Sequence, residues 1–381
     1  MTELKTVAVS PSVKNRSVAK KPAGSFQHSF NALRGYQAKK AFYVAMCPLG
    51  LVAELFKFTD EDDDPFARAQ RKLNKARIPE LADYIIENPK DYVFSALTAS
   101  IDGDVEFRSV NEGDDLGTLV VPMKANFVIN DGQHRRAAIE EALKREPRLE
   151  DETIPVVLFV DVGLKRKQQM FADLNKNAVR PTKSLGILYD HRDALSQLAQ
   201  RLMTEVPLFQ KLTETEKSTI SNRSRNLFTL STIYFATRQL LNKRPRSSVS
   251  IEDESFAREF WLEVCSQMKD WQDAADGRVR SAELRRDYIH AHGVAVQAIA
   301  LAGSGLREQR PKTWKRTLSK LKNIDWHRRT RQLWEGRATV AGRMNKSSHN
   351  VLLTANLIKQ KLGVKLNSAE QDAEDIYVEG R

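Results

Sequence analysis

Cysteine is scarce in this chain. Cys47 and Cys265 are the two thiols in 381 residues, and their separation offers no metal-binding spacing. A disulfide framework is excluded, and a reduced, cytoplasmic protein is the expectation. Long apolar runs are lacking as well. None approaches the roughly 20 residues of a membrane span, and the polar, basic start has no signal-peptide core, so no membrane partner is expected. The seven histidines form no His-x-x-x-His or carboxylate–histidine pattern. A metal centre is therefore not expected. His290 and His292 stand two apart, a spacing that a helix would split between faces. The glycine-rich phosphate motifs of P-loop and dinucleotide enzymes are also missing. No catalytic residue and no metal ligand is assigned.

Acids are missing locally. The formal net charge is +12, and from Arg307 to Lys346 thirteen lysines and arginines face three acids. Such a block favours a polyanionic partner. The acidic run Asp60–Asp64 lies elsewhere and reads as a solvated loop.

What is present centres on Phe127–Ile139. A short apolar run stops at Asn130-Asp131-Gly132, a strong turn signal. A helical pattern follows, with Ile139, Ala142 and Leu143 on one face, and Pro147 closes it. A strand–turn–helix of this kind aims backbone N–H groups and the positive end of the helix dipole into the turn. His134, Arg135 and Arg136 add side-chain donors, and Gly132 allows close approach. The stretch Asp131, Gly132, Gln133, His134, Arg135 and Arg136 is a candidate phosphate or nucleotide site. Its competing reading is a plain tight turn bearing surface arginines.

Around that stretch the chain reads as α+β. Residues 1–25 are expected to form a disordered basic arm (Lys14, Arg16, Lys20, Lys21). Residues 26–188 carry mixed strands and helices. Ala41–Cys47 reads as a strand before a short apolar helix with Leu51, Leu55 and Phe58, and Cys47 reads as a buried small hydrophobe. Pro79 suits the first turn of a helix burying Leu81, Ala82, Ile85 and Ile86. Tyr92–Ser100 is strand-like, and Asp102-Gly103 predicts a hairpin to Val105–Val110. Ile154–Val162 reads as a buried strand. Lys165–Lys176 reads as a helix with Met170, Phe171 and Leu174 inward. Beyond it, Lys176, Arg180 and Lys183 either border the anion site or are ordinary cations at a helix end.

Residues 189–365 read as an all-helical domain and 366–381 as a flexible tail. Helical periods cover Leu195–Leu202, Leu227–Leu241, Phe256–Met268, Tyr288–Leu301, Trp314–Leu321 and Val351–Leu362, with Gly303-Ser304-Gly305 as a connector. In the basic block, Arg328, Arg329, Arg331, Arg337, Arg343 and Lys346 are the candidate DNA contacts, since Lys and Arg neutralise phosphates and release counterions. The interleaved Trp314, Trp326 and Trp334 suit a core better than base-stacking platforms. No helix-turn-helix stands out.

Asp131-Gly132-Gln133-His134-Arg135 is the signature of the DGQHR-domain family. The blocks Arg71–Pro79, Phe94–Gly103 and Gln169–Asn175 resemble its DndB branch, regulators encoded with the DNA phosphorothioation (DNA sulfur modification) enzymes of bacteria. A more distant likeness is to the ParB and sulfiredoxin superfamily, where such a turn holds nucleotide phosphates. Gln133 stands where a sulfiredoxin-like reductase needs its reactive cysteine, so that redox chemistry is not expected. The resemblance implies a ParB/sulfiredoxin-like first domain and a transcriptional repressor that binds double-stranded DNA at the promoter of its own gene cluster. A nucleotide is the cofactor such a turn would take. Self-association is expected of a regulator that reads pseudo-palindromes. Two other readings stand beside it. One is a nucleotide-hydrolysing or DNA-nicking enzyme with Asp131 holding Mg²⁺; the other is an accessory subunit docked on the phosphorothioation enzymes.

Overall fold

A computed structural model describes residues 27–57, 73–160, 163–176, 181–221 and 223–380. The expected basic arm, the acidic run, Phe58 and Arg180 lie outside the described residues. Contacts divide the chain into two compact units, residues 1–179 and 180–381.

In the first unit, strands β1 (Gln27–Gln37) and β2 (Lys40–Pro48) are followed by α1 (Leu49–Leu55), β3 (Phe56–Lys57) and α2 (Ile78–Glu87). Then come β4 (Leu97–Asp102), β5 (Glu106–Ser109), β6 (Leu116–Pro122), β7 (Asn126–Asp131), α3 (Gln133–Arg145), β8 (Thr153–Val160) and α4 (Gly163–Lys176). The eight strands form one mixed sheet in the order β3-β7-β4-β8-β2-β1-β6-β5. Its buried apolar residues alternate along β4 and β8, as the period-2 geometry of a strand requires: Leu97, Ala99 and Ile101 on β4, and Ile154, Val156 and Leu158 on β8. Helix α2 begins with Pro79 in its first turn and buries Ala82 and Ile85.

Two expectations are corrected here. Asp102-Gly103 does not close a hairpin, because β4 lies between β7 and β8 while β5 pairs only with β6 at the opposite edge. Helix α4 buries no residue, and Leu174 is exposed instead of facing inward. Cys47 is fully buried, and burial pushes its thiol up to about 12, as an inert hydrophobe requires.

The second unit begins with α5 (Lys183–Tyr189), α6 (Ala194–Glu205), α7 (Pro207–Leu212), β9 (Thr213–Glu214), β10 (Phe228–Thr229) and α8 (Leu230–Leu240). It continues with α9 (Ile251–Gln267), α10 (Lys269–Ala275), α11 (Ser281–Asp287), α12 (Gly293–Gln309), α13 (Trp314–Leu318) and α14 (Arg331–Trp334). A two-residue ribbon, β11 (Thr339–Val340) and β12 (Arg343–Met344), precedes α15 (Ser348–Leu362) and α16 (Ser368–Glu379). The division falls earlier than residue 188 because α5 packs on α6 and α8, and Ser184 hydrogen-bonds Ser231 (3.2 Å) and Lys217 O (2.9 Å).

Helix α12 runs through the core against α8 and α15. Gly303 and Gly305 are inside it and do not form a connector. A Cβ at Gly303 would lie 2.3 Å from Phe260 and 2.7 Å from Leu240, so the missing side chain lets neighbouring helices close up. The expected flexible tail is mostly α16, capped by reciprocal Asn367–Glu370 bonds. Its buried Glu370 and Glu374 pair with Lys359 and Arg337. Trp314, Trp326 and Trp334 are buried, the last two stacked with ring centres 5.3 Å apart. His290 is also buried. Its Nδ1 accepts from Trp271 Nε1 (3.0 Å), so Nε2–H donates to Asp270 (2.9 Å). No group of three metal-ligating side chains is found among the described residues, and none of their helices is long and apolar enough to cross a membrane.

Candidate anion site and basic face

The corner between β7 and α3 is built from the strand side. Phe127 and Ile129 anchor β7 in the core. The pairing with β4 slips between Thr98 and Ala99, so Asp131 faces Thr98 and Ile129 faces Ala99. Asn130 falls in the irregularity and sends its amide to Ser100 Oγ (2.6 Å). Gly132 then turns the chain at φ 98°, where a Cβ would also meet Leu97 Cδ2 at 2.4 Å. Glycine is required on both counts. Helix α3 starts immediately, with no side-chain cap and no acid in its first turn. Its opening N–H groups and dipole end therefore face the corner without a carboxylate on the helix to meet them.

The turn's arginines behave differently from the expectation that they would reach for an anion. Arg136 is buried, donates to Ala53 O (2.5 Å) and pairs with Glu140 one helical turn on, so it ties α3 to α1. Arg135 pairs with Asp131 (2.7 Å) and donates to Ser95 O (2.8 Å), Ser95 Oγ and Ala96 O (3.1 Å). It braces the turn against the segment entering β4. A buried guanidinium needs such partners, and a nearby carboxylate supplies them more cheaply than water lost on folding. His134 Nε2 accepts from Asn74 N–H (3.1 Å), which puts the neutral ring's proton on Nδ1. Asp131, the acid that a Mg²⁺-dependent reaction would use, is engaged by Arg135.

What remains for a ligand is a cavity of about 270 Å³ at the corner. Arg77, Asn130, Gln133, His134, Phe171 and Asn175 help to line it. Gln133 is 5% exposed, and its Nε2 has no hydrogen-bond partner among the described residues; nor has Asn130 Oδ1. An orphaned donor beside an uncapped helix start suits an oxygen-bearing ligand, since a buried amide left alone costs about 1–3 kcal/mol. Sequence reasoning did not single out Arg77, Asn130 or Asn175 as site residues. Arg77 and Asn175 fall in the blocks that carry the family resemblance, the one signal that could have found them. Of the proposed border, Lys176 is the exposed last residue of α4. Lys183 belongs to the helical unit, where its ammonium lies 5.5 Å from the centre of the Phe235 ring.

The six candidate DNA contacts separate into three groups. Arg329, Arg331 and Arg343 are exposed. Arg328 is half-buried and donates to Arg286 O (3.1 Å) and Gly342 O (3.0 Å), while Lys346, also exposed, donates to Thr232 Oγ1 (3.3 Å). Arg337 is a correction. It is 6% exposed, donates to Leu353 O (2.6 Å), forms a two-pronged pair with Glu374 and lies 4.2 Å from the Tyr377 ring centre. Its charge is spent on Glu374 of α16 inside the protein.

A family model described as "DndB: DNA-sulfur modification-associated" matches residues 30–365. Among solved structures, the chain is similar to the C-terminally truncated chromosome-partitioning protein ParB from Caulobacter crescentus complexed with CTP-gamma-S. That match has 14% identity, covers 68% of this chain and 96% of that one, and has a TM-score of 0.25. No curated protein matches the chain.

Proposed function

The chain belongs to the DndB family of DNA-sulfur modification-associated proteins, and from that premise we propose that it is a DNA-binding repressor of a phosphorothioation gene cluster. The observation that carries the DNA contact is the exposed trio Arg329, Arg331 and Arg343 in a block where thirteen cations outnumber three acids. Such a face attracts the phosphodiester backbone through counterion release. Arg337, internally neutralised, is left out of it.

The corner at Gly132 takes a second role in this reading. Backbone N–H groups of α3 and the Gln133 amide receive a phosphate oxygen, and Arg135, Arg136 and Asp131 hold the corner's shape. The phosphate belongs to a nucleotide that adjusts repression, since a cavity of about 270 Å³ is too small for a duplex.

A nuclease-protection footprint on the DNA upstream of the chain's own gene tests the proposal. Repressor action predicts a bounded protected region that changes when a nucleotide is added. Uniform or absent protection would reject sequence-directed binding, and a footprint indifferent to every nucleotide would reject the role given to the corner.

A further inference from the structure

The helical unit has a larger concave site that the repressor reading does not use. A cavity of about 750 Å³ lies where the starts of α8 and α12 meet α11, Arg328 and Lys346. Its volume falls in the range of small-molecule sites, roughly 300–1,000 Å³. Leu227, Ile220 and Ala291 give part of the wall an apolar character.

The polar part of the wall is overloaded with positive charge. Helix α12 is 17 residues long and starts at Gly293 with no side-chain cap and no acid in its first turn, so its positive dipole end opens into the cavity. Lys346 comes up to that end. A Cβ at position 293 would lie 2.9 Å from Lys346 Nζ and 3.0 Å from Thr232 Oγ1, so glycine there makes room for the ammonium. The hydrogen-bond partners of Lys346 and Arg328 are a hydroxyl and two carbonyls, all neutral. Among the described residues, neither cation has a carboxylate within ion-pair distance. Glu283 is the one acid on the wall, and Arg286 is satisfied by Asp287.

The titrating groups register the same imbalance. Desolvation, then Lys183, pulls Lys346 below the usual lysine range, although the residue as a whole is exposed. Desolvation is also the first cause that brings His292 down to about 4, with Arg328, Arg285 and His290 adding to it. A helix start, a lysine and an arginine converging with neither cation paired to a carboxylate among the described residues is an arrangement that an anion stabilises.

We propose that this cavity binds a phosphorylated small molecule of nucleotide size, with its phosphate held by Lys346, Arg328 and the first N–H groups of α12, and its ring against the apolar wall. The site is separate from the Gly132 corner, so it stands whether or not that corner binds a nucleotide.

Calorimetric titration of the full chain with ADP, inorganic pyrophosphate and adenosine tests it. Wild-type protein and the Lys346→Gln, Lys346→Arg and Arg135→Ala variants are compared after their melting temperatures confirm folding. The proposal expects saturable ADP binding, weaker pyrophosphate binding and none for adenosine. Lys346→Gln weakens ADP about tenfold or more, the loss of one charge-assisted hydrogen bond. Lys346→Arg restores most of it; Arg135→Ala, which disturbs the Gly132 corner, leaves this Lys346-dependent component unchanged, and a component lost only in Arg135→Ala belongs to the corner. The proposal is overturned by the absence of saturable ADP binding or by affinity indifferent to Lys346→Gln. One-for-one displacement of ADP by a DNA duplex would make the cavity part of the DNA face and overturn it equally.

Discussion

The Gly132 corner and the basic end of the helical unit are both rich in arginine, yet their charges are met differently. At the corner, Arg135 faces Asp131 and Arg136 faces Glu140, and the groups left over include backbone N–H and the buried amides of Gln133 and Asn130. At the helical end, Arg328 and Lys346 rest on neutral oxygens, and Arg329, Arg331 and Arg343 stand in solvent. Arg337 belongs to that second region by sequence and to the first kind by environment. An arginine's proximity to a motif therefore says little about what it binds. Whether a carboxylate has already claimed it says more.

The contrast is sharpest at Arg337. Replacing it with alanine leaves Glu374 buried without its partner, and a cost of about 3–5 kcal/mol in urea unfolding is expected. Arg329→Ala, a surface change, should stay within about 0.5 kcal/mol. Equal costs would erase the distinction between claimed and unclaimed cations.

A second pair of variants compares two positive-φ glycines, one in each region. Gly132→Ala combines backbone strain with a clash on Leu97, together about 2–4 kcal/mol. Gly342→Ala meets open space and carries only the strain at φ 71°, about 1 kcal/mol. Melting curves of both variants would show whether the corner is as tightly built as its geometry implies.

A smaller, gradual effect is expected with pH. His292 titrates at about 4 in the folded protein against 6.5 in its ordinary range. Between those values the unfolded chain binds the extra proton, so this histidine's contribution to stability is complete above pH 6.5 and is lost as pH falls toward 4. His292→Gln should flatten the profile in that window, and an unaltered profile would remove His292 as its source.

Much of the fold was legible because it is local. The turn after β7, the apolar stripe of α2 and the periods of α6, α9 and α15 are set by residues three or four apart. Partners distant in sequence were not legible. Asp102-Gly103 has the chemistry of a hairpin turn, but β4 finds better partners in β7 and β8. Gly303 and Gly305 read as a break until Phe260 and Lys359 occupy the space beside them. Residues 366–381 read as a flexible tail, but the counter-charges that hold α16, Lys359 and Arg337, sit on other segments. Its Asn367-to-Glu370 capping box was readable and was missed. At the site, Gly132's need for a positive φ was visible. The carboxylates that claim Arg135 and Arg136 are four residues away and were legible; the bonds to Ser95, Ala96 and Ala53 that complete the withdrawal come only with the fold.

The central claim is that the exposed cations of the helical unit, and not the turn's arginines, hold the DNA backbone. Duplex affinity of the full chain measured from about 50 to 200 mM salt addresses it directly. The account predicts a steep linear fall of log affinity with log salt, made shallower by about 0.9 for each phosphate contact removed in an Arg329/Arg331/Arg343→Ala triple variant and unchanged in Arg135→Ala. A slope that is flat, or that responds to Arg135 and not to the trio, would contradict it.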